Sequence, residues 1–149
     1  MAVAADIDRA TDSKAGWVAE HVQQYVQSGG TEGHEWNGVP TLVLATTGRS
    51  TGEPRRTGLI YGTSGDELVI VASQGGAPDD PQWYKNLQAD PSAGVLVGTR
   101  KVTATARTAS SSERDALWSQ MAHIWPQYDE YARKTDREIP IVLLRPTEG

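Results

Sequence analysis

Three arginines stand in and just beyond a glycine-rich loop between two strand-like runs, ATTGRSTGEPRRTGLIY from Ala45 to Tyr61. The glycines let backbone N–H groups approach an anion, and the guanidinium forks of Arg49, Arg55 and Arg56 match phosphate or carboxylate oxygens. TGRSTG lacks the spacing of a Walker loop or of a dinucleotide fingerprint. On its own, therefore, the loop favours a solvated surface hairpin, and the anion site depends on what lies beside it.

Two further clusters carry groups that suit a binding site. VASQGGAPDDPQWYKNLQADP, from Val71 to Pro91, joins a Ser-Gly-Gly turn to a helix-like WYKNLQ. Near the C-terminus, Trp125, Tyr128 and Tyr131 have a spacing that places them along one side of a helical turn. With Trp 5, Tyr 5 and Phe 0, every aromatic ring carries a polar group that fits the edge of a site. Taken singly, each ring in the third cluster is explained equally well by packing.

Together these segments resemble the deazaflavin-dependent nitroreductase family, class A of the deazaflavin-dependent oxidoreductases, whose members use reduced 8-hydroxy-5-deazaflavin (coenzyme F-420). The resemblance continues through WPQYDEY and TDREIPIVLLRP and so covers roughly Pro40 to Pro146. It implies an oxidoreductase with a split β-barrel like that of FMN-binding oxidoreductases. The implied reaction is hydride transfer to an electron-poor acceptor: an enone, an unsaturated lactone, a quinone or a nitro compound.

The resemblance also assigns residues to the coenzyme, the acceptor and the proton. The implied coenzyme contacts are Arg49, Ser50, Thr51, Arg55, Leu59, Tyr61, Ser73, Gln74, Gly75, Gly76, Ala77, Trp83 and Asn86. Trp125, Tyr128 and Tyr131 are the implied substrate-binding residues. Tyr128 is the first candidate to donate a hydrogen bond or proton to the acceptor oxygen and Ser73 the second, with solvent as the alternative source. Arg49, Arg56 and Lys85 are candidates for the acidic tail of the coenzyme.

Two positions depart from the family pattern. Gln74 stands where a close relative has lysine, so any charged contact at that place is lost. Trp125 replaces a tyrosine of a well-known nitroreductase member, which puts the reduction of nitroimidazoles in doubt. For Trp83, core packing on a short helix is a strong alternative to a place in the coenzyme wall.

Composition limits the other classes of function. A net charge of -5 in 149 residues argues against a nucleic-acid-binding surface, which needs a broad basic face. Cys 0 excludes disulfides and thiolate chemistry and is compatible with a reducing cytoplasm. His21, His34 and His123 lack ligand spacing, so no metal site is expected. The N-terminus has neither a signal-like nor a membrane-spanning apolar run.

The elements that must position these residues are mostly short strands. The predicted strands are Thr41 to Thr47, Arg55 to Tyr61, Glu67 to Ser73, Ala93 to Val97, Lys101 to Ala109 and a central Ile139 to Leu144. Gly65 and Asp66 predict a hairpin turn. A first helix is predicted from Asp12 or Ser13 to Ser28. A second begins at Pro81, is capped by Asp79 or Asp80 and ends before Asp90. A third begins with a capping box formed by Ser110 and Glu113 and continues to about Ile124.

This pattern predicts a mainly β (α+β) split barrel with an N-terminal helix and short flanking helices, rather than a doubly wound sheet. We expect a flexible tail at 1–12 and a single deazaflavin-binding domain at 13–149. A cytoplasmic enzyme is expected, with peripheral membrane contact as an alternative, no stable membrane insertion and at most a weak homodimer. Two rival functions remain at this stage: a split barrel that binds FMN or a tetrapyrrole, and a non-enzymatic carrier of the deazaflavin.

Overall fold

The computed structural model describes residues 11–12, 25–28, 35–36, 39–73, 76 and 79–147. Within these ranges the chain forms a 9-stranded sheet, three helices and a helical turn at residues 25–27. The strands are β1 (Thr11–Asp12), β2 (Glu35–Trp36), β3 (Val39–Thr47), β4 (Pro54–Ile60), β5 (Gly62–Ser64), β6 (Glu67–Val71), β7 (Ser92–Val97), β8 (Arg100–Thr108) and β9 (Ile141–Thr147). The helices are α1 (Gln82–Ala89), α2 (Ser111–Ile124) and α3 (Gln127–Lys134).

The strand order is β1-β4-β3-β7-β8-β9-β6-β5, with β2 paired to β3. All pairs are antiparallel except β1 with β4. β4 also packs against β6 without a strand pairing, and this contact closes the sheet into a barrel with one unpaired seam. The predicted mainly β split barrel is therefore confirmed, as are the central position of the last strand and the hairpin turn at Gly65, whose φ is 58°.

Side chains alternate between the two faces of each strand, and this alternation builds two main cores. Inward-facing residues such as Leu44, Ile70 and Val95 fill the barrel and meet Tyr84 and Leu87 of α1. Outward-facing residues of β6 and β9 pack beneath α2 and α3 in a second cluster. A helical turn at residues 25–27 covers the outer face of β3 and β7 through the buried Tyr25.

One end of the barrel, which we call the upper end, gathers the parts that the sequence singles out. Because β3, β6 and β8 run in the same direction, their last residues, Thr47, Val71 and Thr108, lie at this end. β4, β7 and β9 begin there. The arginine loop at 48–53 and the turn that follows β6 therefore leave the barrel at its upper end, and α1 lies across it.

One helix prediction needs correction, and another falls largely outside the described residues. Of the predicted helix that begins at Asp12 or Ser13, residues 13–24 lie outside the described ranges, as do residues 1–10 of the predicted tail at 1–12; Asp12 itself lies in β1, where it pairs with Arg56. Neither Asp79 nor Asp80 caps α1. Pro81 is the N-cap of this helix, with no side-chain cap hydrogen bond, and the Asp80 carboxylate binds Arg137 instead. The predicted Ser110–Glu113 capping box is confirmed at the start of α2.

Candidate functional site

The arginine loop is a tight turn that uses most of its own amides. Gly48 N–H donates to the Glu53 carbonyl at 2.8 Å, and Gly52 N–H donates to the Gly48 carbonyl at 2.7 Å. The Thr51 hydroxyl accepts from the Glu53 N–H at 3.2 Å. A Cβ on Gly48 would stand 2.8 Å from that hydroxyl, so close packing requires glycine there. The amides of Ser50 and Thr51 are the ones in the loop without a partner among the described residues.

Arg49 is held against α1 by a clamp of polar side chains. Its Nη1 donates to Asn86 Oδ1 at 2.9 Å, its backbone N–H donates to the same oxygen at 3.2 Å, and its Nη2 donates to Gln82 Oε1 at 2.7 Å. Asn86 is 4% exposed and donates in turn to Thr46 Oγ1 at 3.1 Å. Since a guanidinium has five N–H donors and this clamp uses two of them, Arg49 keeps three for a ligand.

Arg55 lies beside this clamp on the same face of the sheet. It is opposite Thr46 in the β3–β4 pair, and Leu59, four residues further along the same face, packs into the barrel interior. In the described ranges neither Arg49 nor Arg55 forms an ion pair. Arg56 points to the opposite face of β4, because successive strand residues alternate. The sequence-predicted pair Arg49 and Arg55 is thus brought together, and Arg56 lies on the other side.

The seam between β4 and β6 begins at the upper end and narrows toward β5. β5 pairs with β6 from Gly62↔Val69, which places Tyr61 next to Ile70 one step earlier. Within the described ranges β4 has β3 and β1 as its strand partners and no ladder to β6. Leu59 and Tyr61 lie along one side of the seam and pack against the inner core, where burial raises the pKa of Tyr61.

The turn after β6 forms the other side of the seam. Ser73 is 8% exposed, and its hydroxyl has no hydrogen-bond partner among the described residues. No fully enclosed side-chain oxygen in those residues lacks a partner, so this hydroxyl reaches the surface. Gly76 has a φ of 83° and donates its N–H to the Ser73 carbonyl at 2.9 Å. A Cβ on Gly76 would stand 2.7 Å from the Tyr131 carbonyl oxygen, so the backbone of α3 packs directly against this glycine. Gln74, Gly75 and Ala77 lie outside the described residues.

The aromatic cluster at the C-terminus assembles beside this turn. Trp125 precedes α3, and its Nε1 lies 3.5 Å from the Tyr131 hydroxyl. Tyr128 and Tyr131 have ring centroids 6.1 Å apart in an edge arrangement. Tyr128 is 5% exposed, packs in the outer cluster with Val71, and has no hydrogen-bond partner for its hydroxyl among the described residues. Burial, with a smaller effect of Tyr131, raises the pKa of Tyr128 and keeps it protonated at neutral pH.

The position of Trp83 is compatible with both roles that the sequence suggests, packing in the core and a place in the coenzyme wall. It is half-buried, packs against the inner core and meets Tyr84 edge-on at 6.2 Å, while part of its ring stays exposed at the upper end. Tyr84 is anchored to Thr108 by a 2.8 Å hydrogen bond between the two hydroxyls. α1 is therefore fixed at both β3 and β8, and it presents a rigid surface beside the arginine loop.

Sequence reasoning missed three residues that shape this region: Thr46, Gln82 and Arg137. Arg137 donates from Nη1 to the Asp80 carboxylate at 2.8 Å and from Nη2 to the Ser73 carbonyl at 2.7 Å. Nothing in TDREIP separates this arginine from an exposed loop arginine, because its partners are distant in the chain. Among the described residues there is no group of three or more His, Asp or Glu side chains that could hold a metal ion.

Comparison with known proteins identifies the family. The model of the F420H(2)-dependent quinone reductase family matches residues 17–146. An F420H(2)-dependent quinone reductase from Mycobacterium tuberculosis is 37% identical over an alignment of 133 residues that covers 83% of this chain and 86% of that protein. The solved structure of an F420-H2 dependent reductase has a TM-score of 0.66 and 34% identity and covers 71% of this chain and 94% of its own. A structure described as a domain-swapped dimer has a TM-score of 0.69 and 33% identity and covers 89% and 100%.

These similarities confirm the resemblance found in the sequence, the split barrel, and the reduced deazaflavin as the hydride donor. Within the described ranges, no helix has the length and apolar character that crossing a membrane requires. The chain belongs to the F420H(2)-dependent quinone reductase family and is an oxidoreductase that depends on reduced coenzyme F-420.

Proposed function

We propose that this chain binds reduced coenzyme F-420 at the upper end of the barrel and passes hydride to a quinone. The observation that carries the proposal is the position of Arg49 and Arg55. These two cations have no acidic partner among the described residues, and they flank a buried amide clamp between the loop and α1. The donor set fits the group, because a phosphate and a polyglutamyl tail require guanidinium and amide donors that solvent can reach.

The arginine loop and α1 bind the charged part of the coenzyme in this proposal. Asn86 sets the direction of Arg49 and is itself nearly inaccessible, so it acts through Arg49. The amides of Ser50 and Thr51 add donors beside it. Lys85 lies on α1 and provides a further cation for the acidic tail. Because the side chain of Arg56 is on the opposite face of β4, we assign it no contact with the phosphate.

In this proposal the deazaflavin ring binds in the seam between β4 and β6. Leu59 and Tyr61 line one side and Ser73 lies on the other. Beyond Arg55 and Arg56, which pair with β1, the edge of β4 toward β6 has no strand partner among the described residues and leaves a slot. Trp83 closes the slot from α1. The contacts that the resemblance assigns to Gln74, Gly75, Gly76 and Ala77 remain predictions, as does the tail at 1–12 with one domain at 13–149.

When bound, the reduced deazaflavin supplies a hydride from C5, and the protein needs no nucleophile. Its residues hold the acceptor at near-attack distance and exclude water. Ser73 and Tyr128 offer hydroxyls without partners among the described residues, and Tyr128 packs in the outer cluster with Val71, which is two residues before Ser73 in the chain. Either hydroxyl could donate a hydrogen bond to the negative charge that develops on a quinone oxygen, with solvent as the alternative proton source.

Trp125 and Tyr131 form the acceptor side of the site. Both are partly exposed and lie next to the turn through the contact of α3 with Gly76. Their flat rings suit a planar quinone. A weak homodimer is part of the proposal, supported by the domain-swapped dimer of the 33% identical structure. The sequence contains no cysteine, which is compatible with the reducing cytoplasm and supports a cytoplasmic location in this proposal.

The test is titration of the protein with coenzyme F-420, followed by fluorescence quenching, and then reduction of a soluble naphthoquinone. We expect Arg55→Ala to weaken coenzyme binding by about tenfold or more, the equivalent of one charge-assisted hydrogen bond, with little change in KM for the quinone. Arg100→Ala is the matched control, because Arg100 is an exposed arginine at the opposite end of the barrel. Equal coenzyme affinity in both variants and the wild type would contradict the assignment.

A further inference from the structure

Arg137 joins three segments that surround the proposed coenzyme site. It stands just before β9, and its side chain is 14% exposed. Its guanidinium donates to the Ala72 carbonyl at 3.2 Å, to the Ser73 carbonyl at 2.7 Å and to the Asp80 carboxylate at 2.8 Å. Two of these acceptors are the first two carbonyls after β6, and the third lies at the entrance to α1.

The first consequence concerns the shape of the turn. The Ser73 carbonyl accepts from both Arg137 Nη2 and the Gly76 N–H, so both of its lone pairs are used. These two hydrogen bonds fix the Ser73 carbonyl relative to Arg137 and Gly76, and Gly76 packs against the Tyr131 backbone. The position of the Ser73 hydroxyl beside the seam thus depends on a residue more than sixty positions away in the chain.

The second consequence concerns α1. Asp80 is followed by Pro81, the N-cap of the helix, so the Arg137–Asp80 ion pair fixes where α1 begins. α1 in turn carries Gln82 and Asn86, which hold Arg49. The Arg137 guanidinium therefore positions both the turn beside the proposed ring site and the helix that holds Arg49 at the proposed phosphate site.

We propose that Arg137 is a positioning residue for the coenzyme: it fixes the Ser73–Gly76 turn and the start of α1 and does not itself touch the ligand. This inference rests on the proposed function. A lysine keeps the charge at this place but has a single ammonium group, which cannot reach two carbonyls and a carboxylate with a planar fork. Arg137→Lys is therefore a sharper variant than a truncation, since it changes geometry and conserves charge.

The experiment compares Arg137→Lys, Asp80→Asn and Arg114→Lys in the full chain. Arg114 is the matched control: it is an arginine of 22% side-chain exposure that pairs with Glu138 and lies on α2. For each variant we would measure the coenzyme F-420 dissociation constant by fluorescence quenching, kcat and KM with a soluble naphthoquinone, and thermal unfolding by circular dichroism.

We expect Arg137→Lys to weaken coenzyme binding by about tenfold and Asp80→Asn by about threefold, with kcat at saturating coenzyme changed less than twofold in the latter. Arg114→Lys should leave coenzyme binding unchanged. If Arg137→Lys and Asp80→Asn lower the unfolding temperature but bind the coenzyme like the wild type, Arg137 is purely structural and the inference is overturned. If Arg137→Lys does not fold, Asp80→Asn decides by the same criterion. Failure of the proposed function is distinct, because it would appear as unchanged coenzyme binding in Arg55→Ala.

Discussion

Two substitutions of Asn86 separate its contribution to the stability of the fold from its contribution to coenzyme binding. Its amide makes three hydrogen bonds, one to Thr46 and two from Arg49, while the residue is 4% exposed. Replacing Asn86 with alanine removes all three and leaves the buried Thr46 hydroxyl without its partner. Two neutral bonds at about 1 kcal/mol each and one to a charged group at about 1.5 kcal/mol give a destabilisation of roughly 3.5 kcal/mol. For a chain of this length that lowers the unfolding temperature by about 7–14 °C.

Asn86→Asp changes the charge and keeps the shape. The carboxylate still accepts from the Arg49 amide and guanidinium, and the Thr46 hydroxyl is able to donate in place of accepting. We therefore expect a stability within about 1 kcal/mol of the wild type, since charge-assisted bonds to Arg49 offset the burial. If the phosphate binds the far side of the Arg49 guanidinium, the new charge stands about 8 Å from it; at an effective dielectric constant of about 20 the repulsion is then about 2 kcal/mol, or about 30-fold in affinity.

The assay is coenzyme titration by fluorescence quenching together with thermal unfolding by circular dichroism. Gln88→Glu is the control, because it adds the same charge to an exposed position on α1, two residues from Asn86. If Asn86→Asp binds the coenzyme as tightly as Gln88→Glu does, Arg49 does not face the phosphate. If Asn86→Ala unfolds at the wild-type temperature, the clamp contributes no stability and the hydrogen-bond reasoning is refuted.

Three further outcomes follow from single positions. Gly76→Ala should destabilise the chain by about 2 kcal/mol or more in urea unfolding, because a side chain at positive φ is strained and its Cβ would meet the Tyr131 backbone; unchanged stability would contradict the described turn. The Glu113 carboxyl has its pKa lowered from 4.5 to about 2, first by Arg107 and then by the Ser110 amide, so its contribution to stability is present above pH 4.5 and is lost as the pH falls toward 2. Glu113→Gln should flatten the fall in stability between those two pH values, and an unchanged slope would refute the pairing. Tyr128→Phe should leave coenzyme affinity and stability nearly intact and lower kcat for quinone reduction; equal kcat would exclude Tyr128 and leave Ser73 or solvent as the proton source.

Most of the barrel could be predicted from the sequence because local signals and the fold agree. Alternating apolar residues and turn glycines gave β3, β6 and β7 within two residues of their observed ends. The last strand was placed at the centre because it is apolar on both faces, and it lies between β8 and β6. β5 was missed, since three residues directly after β4 carry no periodicity of their own.

The site could be predicted only in part. Motifs and family resemblance indicated the arginine loop and the Ser-Gly-Gly turn, and the fold places both at the upper end of the barrel. The clamp through Thr46, Asn86 and Arg49 and the bonds of Arg137 join residues far apart in the chain, so no local pattern encodes them. Asp80 illustrates the conflict: next to Pro81 it has the position of a helix cap, but the distant Arg137 offers a charge-assisted bond, and that bond forms instead.

The most direct measurement is a crystal structure of this chain with coenzyme F-420. We expect the coenzyme phosphate within hydrogen-bond distance of the Arg49 or Arg55 guanidinium and the ring in the seam between Leu59 and Ser73. A coenzyme bound at the opposite end of the barrel, near Gly98 and Tyr25, or on the outer face of β4 with Arg56, would contradict the account.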